Sequence, residues 1–320
     1  MPEAISALGL HFIVGLQGAV LEKQEQKLLA ELQPAGIILF RKNIAADDPS
    51  GWLDKLDRLI AQAREAAARP DFLVAVDHEG GAVYRFCHPV THFAPARSWA
   101  ASSAAVGRAT GRELRALGCN LNFAPVVDIH CEPQNTVIGP RAFGTTAEEV
   151  SPPAIAFLKS MEAEGVLGCA KHFPGHGATI ADSHLELPVL DVPRKVLLKR
   201  ELLPFRQIIA AGTKLVMTAH VRYPAVDPTR PATLSPVILG DLLRAELGFS
   251  GVIVSDDLEM AALQSLSPGA RAQACLTAGV DLLLEGNPKS ALPLEIALQM
   301  RKEVLDGVRE QSISEDKLVC

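Results

Sequence analysis

The stretch RELLPFRQIIAAGTKLVMTAH, residues 200–220, contains a helix-to-strand unit from which the fold can be predicted. Its first part, 200–212, spaces apolar residues three and four apart, as one buried helical face requires. Gly212 is suited to ending that helix. KLVMTAH (214–220) is then a continuous apolar run, which is typical of a parallel strand buried on both faces. The stretch therefore predicts an α-helix followed by a buried strand.

The same unit recurs along the chain, so that eight predicted strands alternate with helices. Glycines stand between a helix and the next strand at Gly36, Gly118, Gly165 and Gly279 as well. The predicted strands are 9–16, 36–40, 72–77, 120–128, 168–173, 214–220, 251–257 and 280–286; the predicted helices are 21–33, 50–68, 109–118, 149–165, 200–212, 235–248 and 269–279. Eight alternating units predict an α/β fold, a single-domain TIM (β/α)8 barrel over residues 1–320. An open, doubly wound sheet is the alternative.

Composition excludes several function classes. The chain has 320 residues, a net charge of -6 and 5% aromatic residues, so it lacks the basic stripe of a nucleic-acid binder. No apolar run is long enough to span a bilayer. The first residues lack the Lys or Arg that precedes the apolar core of a signal peptide. Six scattered cysteines without CxxC spacing suggest reduced thiols. We therefore expect a cytoplasmic protein with no nucleic-acid or membrane partner.

Titratable residues follow most of the predicted strands. They include Asp77, Asp128, Lys171 with His172, His220, Asp256 with Asp257, and Glu285. In a TIM barrel the active site lies at the carboxyl ends of the strands. A packing or loop role could explain any one of these residues, but their recurrence around the barrel predicts an active site there.

The segment KHFPGHGATIADSHLELP, residues 171–188, is the richest in such groups. His172 and His176 are four residues apart, but the Pro-Gly between them favours a turn over a helix, and no HExxH motif is present. A metal site built from His172, His176 and His220 with an Asp is one interpretation. Asp182 and His184 are two residues apart, so in an extended segment they point the same way and can form a proton-transferring pair.

Several ordered motifs resemble the glycoside hydrolase family 3 β-N-acetylhexosaminidases. They are GLQG, ILFRKNI, VDHEGGAVYR, APVVDI, VIGPRAFG, KHFPGHGATIADSH, VMTAHVRYPAVD and LGFSGVIVSDDLEM, and together they cover nearly the whole chain. The resemblance implies a single barrel and a retaining exo-β-N-acetylglucosaminidase. Its implied substrates are peptidoglycan fragments such as GlcNAc-1,6-anhydro-MurNAc, with or without peptide. It further implies a monomer that binds a muropeptide-derived sugar and needs no cofactor and no metal.

The resemblance also assigns roles to individual residues. Asp256, the first carboxylate of SDD, matches the nucleophile that forms a covalent glycosyl-enzyme, and His184 with Asp182 matches the acid/base dyad. The residues that match sugar-binding positions are Asp77, Arg85, Arg141, Lys171 and His172. Glu79 is expected to be structural, holding the backbone amides of the two glycines that follow it.

The sequence departs from the family pattern at two positions and leaves other reactions open. His78 stands where Gln is more usual, and Pro140 stands where an acidic residue is more usual. The alternatives are phosphorolysis of a β-glycoside, hydrolysis of other β-glycosides, a metal-dependent hydrolase, a non-catalytic sugar sensor and acetamido-assisted catalysis.

Overall fold

The computed structural model describes residues 8–45, 48, 51–183, 185–286 and 292–310. Its strands form one parallel sheet in the order β7-β6-β5-β4-β3-β2-β1-β8. A parallel bridge from Val254 to Leu282 joins the two ends, which closes the barrel. The strands are β1 Phe12–Gly15, β2 Gly36–Leu39, β3 Leu73–Val76, β4 Leu121–Asn122, β5 Leu167–Phe173, β6 Leu215–Thr218, β7 Val252–Val254 and β8 Leu283–Glu285. The predicted TIM barrel is confirmed, and the open sheet is excluded.

Helices surround the barrel at all seven predicted positions and at two further ones. They are α1 Lys23–Leu32, α2 Trp52–Ala67, α3 Ser103–Ala116, α4 Ala147–Glu162, α5 Arg194–Lys199, α6 Leu202–Ala210, α7 Val237–Glu246, α8 Pro268–Ala278 and α9 Pro293–Arg309. Two of them, α5 and α9, were not predicted. The turns of α7 are wide, as in the bond from Leu247 N–H to the Leu242 carbonyl oxygen at 3.0 Å. Within the described part of the chain, no helix has both the length and the hydropathy that a membrane crossing needs.

Helix α3 differs from its predicted form for a reason visible in its packing. Helix α3 begins at Ser103, six residues before the predicted start at 109, and packs on α4. At Gly107 a Cβ atom would stand 2.4 Å from the Phe157 carbonyl oxygen, so only glycine allows this approach. The small residues of Ser103–Gly107 weaken the apolar pattern but permit close helix packing.

The barrel wall separates two apolar layers. Ile38, Ala75, Val254 and Leu284 belong to the layer inside the barrel. The residues between them on each strand, such as Val76 and Leu283, pack instead against the helices. Because side chains alternate between the two faces of a strand, Asp77 and Asp256 are directed inward at the carboxyl ends of β3 and β7.

Strand β4 is much shorter than its predicted range of 120–128 because Pro125 interrupts the hydrogen-bond ladder. Proline has no N–H to donate, and regular pairing ends at Asn122. The chain rejoins β5 further on, where Val126 bridges Lys171 and Val127 N–H donates to the Lys171 carbonyl oxygen at 2.8 Å. This interruption in the pairing of β4 with β5 brings Asp128 beside the carboxyl end of β5.

Candidate active site

A buried cluster of alternating charges lies at the carboxyl ends of β3 and β5. Lys171 Nζ is 2.8 Å from Asp77 Oδ1 and 2.6 Å from Glu79 Oε1, and its side chain is only 2% exposed. Burial favours the neutral form of this lysine, but the two carboxylates raise its pKa above the usual value. Lys171 is therefore a fixed cation between two anions.

Two arginines complete the cluster. Arg141 donates to both oxygens of Glu79, from Nε at 2.8 Å and from Nη2 at 2.9 Å. Arg85 Nη2 lies 3.3 Å from Asp77 Oδ2, while Arg85 Nε is buried without a partner among the described residues. Burial alone would raise the pKa of Glu79, but Arg141 and Lys171 hold it far below the usual value. The expectation that Glu79 binds glycine amides is corrected: its carboxylate joins the two cations.

His172 is held by the carboxylate of Asp128, a residue whose position after a predicted strand does not by itself indicate this contact. Asp128 Oδ2 lies 2.7 Å from His172 Nδ1, and Asp128 Oδ1 accepts the backbone N–H of His176 at 2.7 Å. Arg141 Nη2 stands 3.5 Å from His172 Nε2. A carboxylate can only accept, so His172 Nδ1 carries a proton and donates it to Asp128. These contacts fix the orientation of the His172 ring.

Asp256 and Asp257 follow β7 but have opposite pKa shifts. Burial would raise the pKa of Asp256, but His172, His220, the Asp257 N–H and Lys171 lower it below the usual value. That N–H donates to Asp256 Oδ1 at 2.8 Å. For Asp257, burial with repulsion from Asp256 raises the pKa to about 7. Adjacent carboxyls with separated pKa values are characteristic of acid–base active sites.

His220 lies behind this pair. Its Nε2 is 2.9 Å from the Asp257 carbonyl oxygen, and its Nδ1 is 2.7 Å from Thr233 Oγ1. The carbonyl oxygen can only accept, so Nε2 carries the proton. His220 therefore fixes the backbone that presents the two carboxylates.

The segment after β5 turns away from the strand at Pro174 and Gly175 and returns towards β7. His176 contacts Thr179 Oγ1 at 2.8 Å and Ser183 Oγ at 3.1 Å. The Asp182 carbonyl oxygen accepts the N–H groups of Leu185 and Glu186. Ala262 N–H donates to the Ser183 carbonyl oxygen at 3.3 Å, which ties this segment to the loop that follows Asp256. The predicted acid/base His184 lies outside the described residues.

The histidines proposed as metal ligands already have protein partners. His172 contacts Asp128, His176 contacts Thr179 and Ser183, and His220 contacts Thr233 and the Asp257 backbone. In the ranges that the structure describes, no group of three His, Cys, Asp or Glu side chains is arranged to hold a metal ion.

His78 is expected to make the native protein less stable at acid pH. It is 3% exposed, and burial followed by repulsion from Arg85 lowers its pKa to about 4. Between pH 4 and 6.5 the unfolded chain binds a proton that native His78 excludes, so the native state loses stability as pH falls. We expect His78→Gln to reduce the loss in unfolding free energy between pH 7 and pH 5 by about 1–2 kcal/mol.

Urea denaturation at pH 7 and pH 5 measures this difference. The exposed His88→Gln is the matched control and should follow the wild type. Equal losses of stability in the wild type and in His78→Gln would show that His78 is not the source of the acid sensitivity.

Comparisons with known proteins agree with this architecture. A family model for the N-terminal domain of glycosyl hydrolase family 3 matches residues 3–318. A β-hexosaminidase from Methylococcus capsulatus is 40% identical over 89% of this chain and 86% of its own length. A family 3 β-N-acetylglucosaminidase from Paenibacillus superposes with a TM-score of 0.89 and 37% identity, over 98% of this chain and 60% of that longer one. NagZ from Neisseria gonorrhoeae, in complex with N-trifluoroacetyl-D-glucosamine, has a TM-score of 0.79 and 34% identity over 91% of this chain and 84% of its own.

The chain belongs to glycoside hydrolase family 3, as the family model and the relatives above 30% identity show. Within that family it is a glycosidase of the β-hexosaminidase type. The predicted family and enzyme class are confirmed.

Proposed function

We propose that the protein is a retaining exo-β-N-acetylglucosaminidase that removes terminal β-linked N-acetylglucosamine from peptidoglycan fragments. The substrate class is GlcNAc-1,6-anhydro-MurNAc, with or without a peptide. The observation that carries the proposal is Asp256, a carboxylate directed into the barrel mouth and kept ionised by His172 and His220 although burial opposes it. A retaining glycosidase needs such a carboxylate as its nucleophile.

Five residues are proposed to bind the sugar. They are Asp77, Arg85, Arg141, Lys171 and His172. Contacts among them and with Glu79 and Asp128 fix each of them before the ligand arrives. Sugar hydroxyls need donors and acceptors together, which this cluster of opposite charges supplies. The relative in complex with N-trifluoroacetyl-D-glucosamine supports an N-acylglucosamine as the bound sugar.

In the proposed first step, Asp256 attacks the anomeric carbon and the bond from that carbon to the leaving oxygen breaks. His184 transfers its proton to the leaving oxygen, while Asp182 orients the histidine. In the second step, His184 takes a proton from water, the water oxygen bonds to the anomeric carbon, and Asp256 is released. The contact between Ser183 and Ala262 supports a position of Asp182 and Ser183 beside the β7 loop.

We further propose a cytoplasmic monomer whose partner is this small sugar, without a cofactor, a metal, a nucleic acid or a membrane. The net charge of -6 and the low aromatic content support the absence of a nucleic-acid partner.

Hydrolysis of aryl glycosides tests the proposed substrate. We expect the aryl β-N-acetylglucosaminide to be cleaved at least about 100-fold faster in kcat/KM than the aryl β-glucoside. A site built to bind the acetamido group is left with unpaired polar groups when the glucoside binds. Activity should be unchanged by a chelator. Equal rates on the two sugars, or loss of activity with the chelator, would contradict the assignment.

Phosphorolysis is the second candidate reaction. A histidine acid/base does not repel phosphate as a carboxylate would. The same assay with inorganic phosphate separates the two reactions, because phosphorolysis yields the sugar 1-phosphate and hydrolysis yields the free sugar. We expect the free sugar.

A further inference from the structure

A group of charged side chains lies behind the proposed nucleophile, between the barrel wall and helix α8. Leu284 belongs to the interior layer of the barrel and Leu283 to the layer under the helices. By the alternation of side chains along β8, Glu285 is directed outward, away from the proposed sugar site. Its electrostatic neighbours are Asp257 and Glu259 from the loop after β7, and Arg271 from α8.

Backbone hydrogen bonds fix the β7 loop against β8 at this point. Ser255 N–H donates to the Leu282 carbonyl oxygen, and Leu258 N–H donates to the Leu284 carbonyl oxygen, each at 2.9 Å. Leu284 N–H donates to Ser255 Oγ, also at 2.9 Å. Residue 257 therefore runs beside residue 285. Any change of charge at Glu285 therefore acts on Asp257, whose N–H donates to Asp256 Oδ1.

None of the described residues donates a hydrogen bond to Glu285 that would stabilise an anion. It is 0% exposed, and neither carboxylate oxygen has a partner in the part of the chain that the structure describes. Arg271 acts on Glu285 through its charge, but its guanidinium donates to the Leu258 carbonyl oxygen at 2.6 Å and to Glu259 Oε1 at 2.7 Å. A buried charge without a partner is strongly unfavourable, and a carboxyl group in that position takes up a proton.

The other groups around the pair strengthen this conclusion. Burial, followed by repulsion from Asp257 and Glu259, raises the pKa of Glu285 well above the usual value, and Arg271 opposes the shift only in part. Strand β1, which pairs with β8, contributes no titratable side chain in FIVG (12–15). Lys42, after β2, faces Asp257 and Glu25. It favours the negative charge on Asp257, so the proton belongs on Glu285.

We propose that Glu285 is a positioning residue, held as a neutral carboxylic acid so that it and Asp257 together carry at most one negative charge. With Glu285 neutral, Asp257 keeps its place, and its N–H stays on Asp256 Oδ1. When Glu285 loses its proton at high pH, the anions of Glu285 and Asp257 repel each other, and the alignment of Asp256 is lost. The inference rests on the proposed role of Asp256.

The pH profile of Glu285→Gln tests the proposal, because glutamine copies the neutral acid and cannot ionise. At pH 6 we expect kcat/KM within about threefold of the wild type. At pH 9 the variant should retain a fraction of its maximal kcat/KM that is at least about threefold larger than the fraction retained by the wild type. The exposed Glu65→Gln is the matched control and should keep the wild-type profile. Coincident alkaline limbs of the wild type and the variant would overturn the proposal.

Infrared spectroscopy of the full chain with carboxyl-labelled glutamate reads the protonation without any assay of activity. We expect the wild type at pH 7 to show a band of protonated glutamic acid that is absent in Glu285→Gln. If the variant fails to fold, the wild type alone is titrated, and we expect its band to disappear only at high pH. Absence of the band from the wild type would overturn the proposal. If the band is present but Asp256 proves dispensable, the proposed function fails while the neutral Glu285 stands.

Discussion

Asp256→Asn should lower kcat/KM on an aryl β-N-acetylglucosaminide by at least about 10³-fold, because the amide cannot attack the anomeric carbon. The substitution preserves the size of the side chain and an oxygen that can accept the Asp257 N–H. The fold should therefore be intact, with a melting temperature close to that of the wild type. Steady-state kinetics together with thermal denaturation measures both quantities.

The control for this variant is Asp241→Asn, an exposed carboxylate on α7. It removes one negative charge far from the barrel mouth and should retain wild-type kcat/KM. An Asp256→Asn enzyme with more than about a tenth of the wild-type rate would contradict the assignment of Asp256 as nucleophile.

Lys171→Met should both destabilise the protein and abolish sugar cleavage. Methionine leaves the carboxylates of Asp77 and Glu79 buried without their shared cation, and removing one partner of a buried ion pair costs about 3–5 kcal/mol. The same residues are proposed to bind the sugar, so activity should be lost even where the variant is folded. Urea denaturation at pH 7 gives the change in unfolding free energy.

Lys55→Met provides the matched comparison. Lys55 Nζ lies 3.0 Å from Asp48 Oδ2, but the two side chains are 40% and 36% exposed. An exposed ion pair of this kind contributes about 0–1 kcal/mol. If the two substitutions cost the same free energy of unfolding, the charge cluster at the barrel mouth does not hold the site together.

The barrel could be predicted from the sequence because its strands are buried on both faces and therefore form continuous apolar runs. The apolar run is least informative at β4. There Pro125 lacks the N–H that the pairing needs, and the strand ends at Asn122 although the apolar run continues. Helix α9 was missed although its buried residues Leu294, Ala297, Met300 and Val304 have helical spacing. That signal was present in the sequence and would have predicted the helix.

The candidate site was predicted less completely, because its contacts join distant parts of the chain. Strand ends identified Asp77, Lys171 and Asp256, but local spacing could not pair Glu79 with Arg141, 62 residues away. In the same way, Asp128 was visible as a strand end, whereas its contact with His172 depends on the interrupted pairing after β4. The role of His184 is indicated by its spacing from Asp182 and by the family resemblance, and it stays a prediction.

The most direct test of the central claim is to trap the glycosyl-enzyme. A 5-fluoro N-acetylglucosaminyl fluoride slows both steps, but its reactive leaving group lets the first step outrun the second, so the intermediate accumulates. Peptide mass spectrometry should then find the sugar on Asp256, and the Asp256→Asn variant should remain unlabelled. An unlabelled wild type that still turns over the reagent, or a sugar attached to another residue, would contradict double displacement on Asp256.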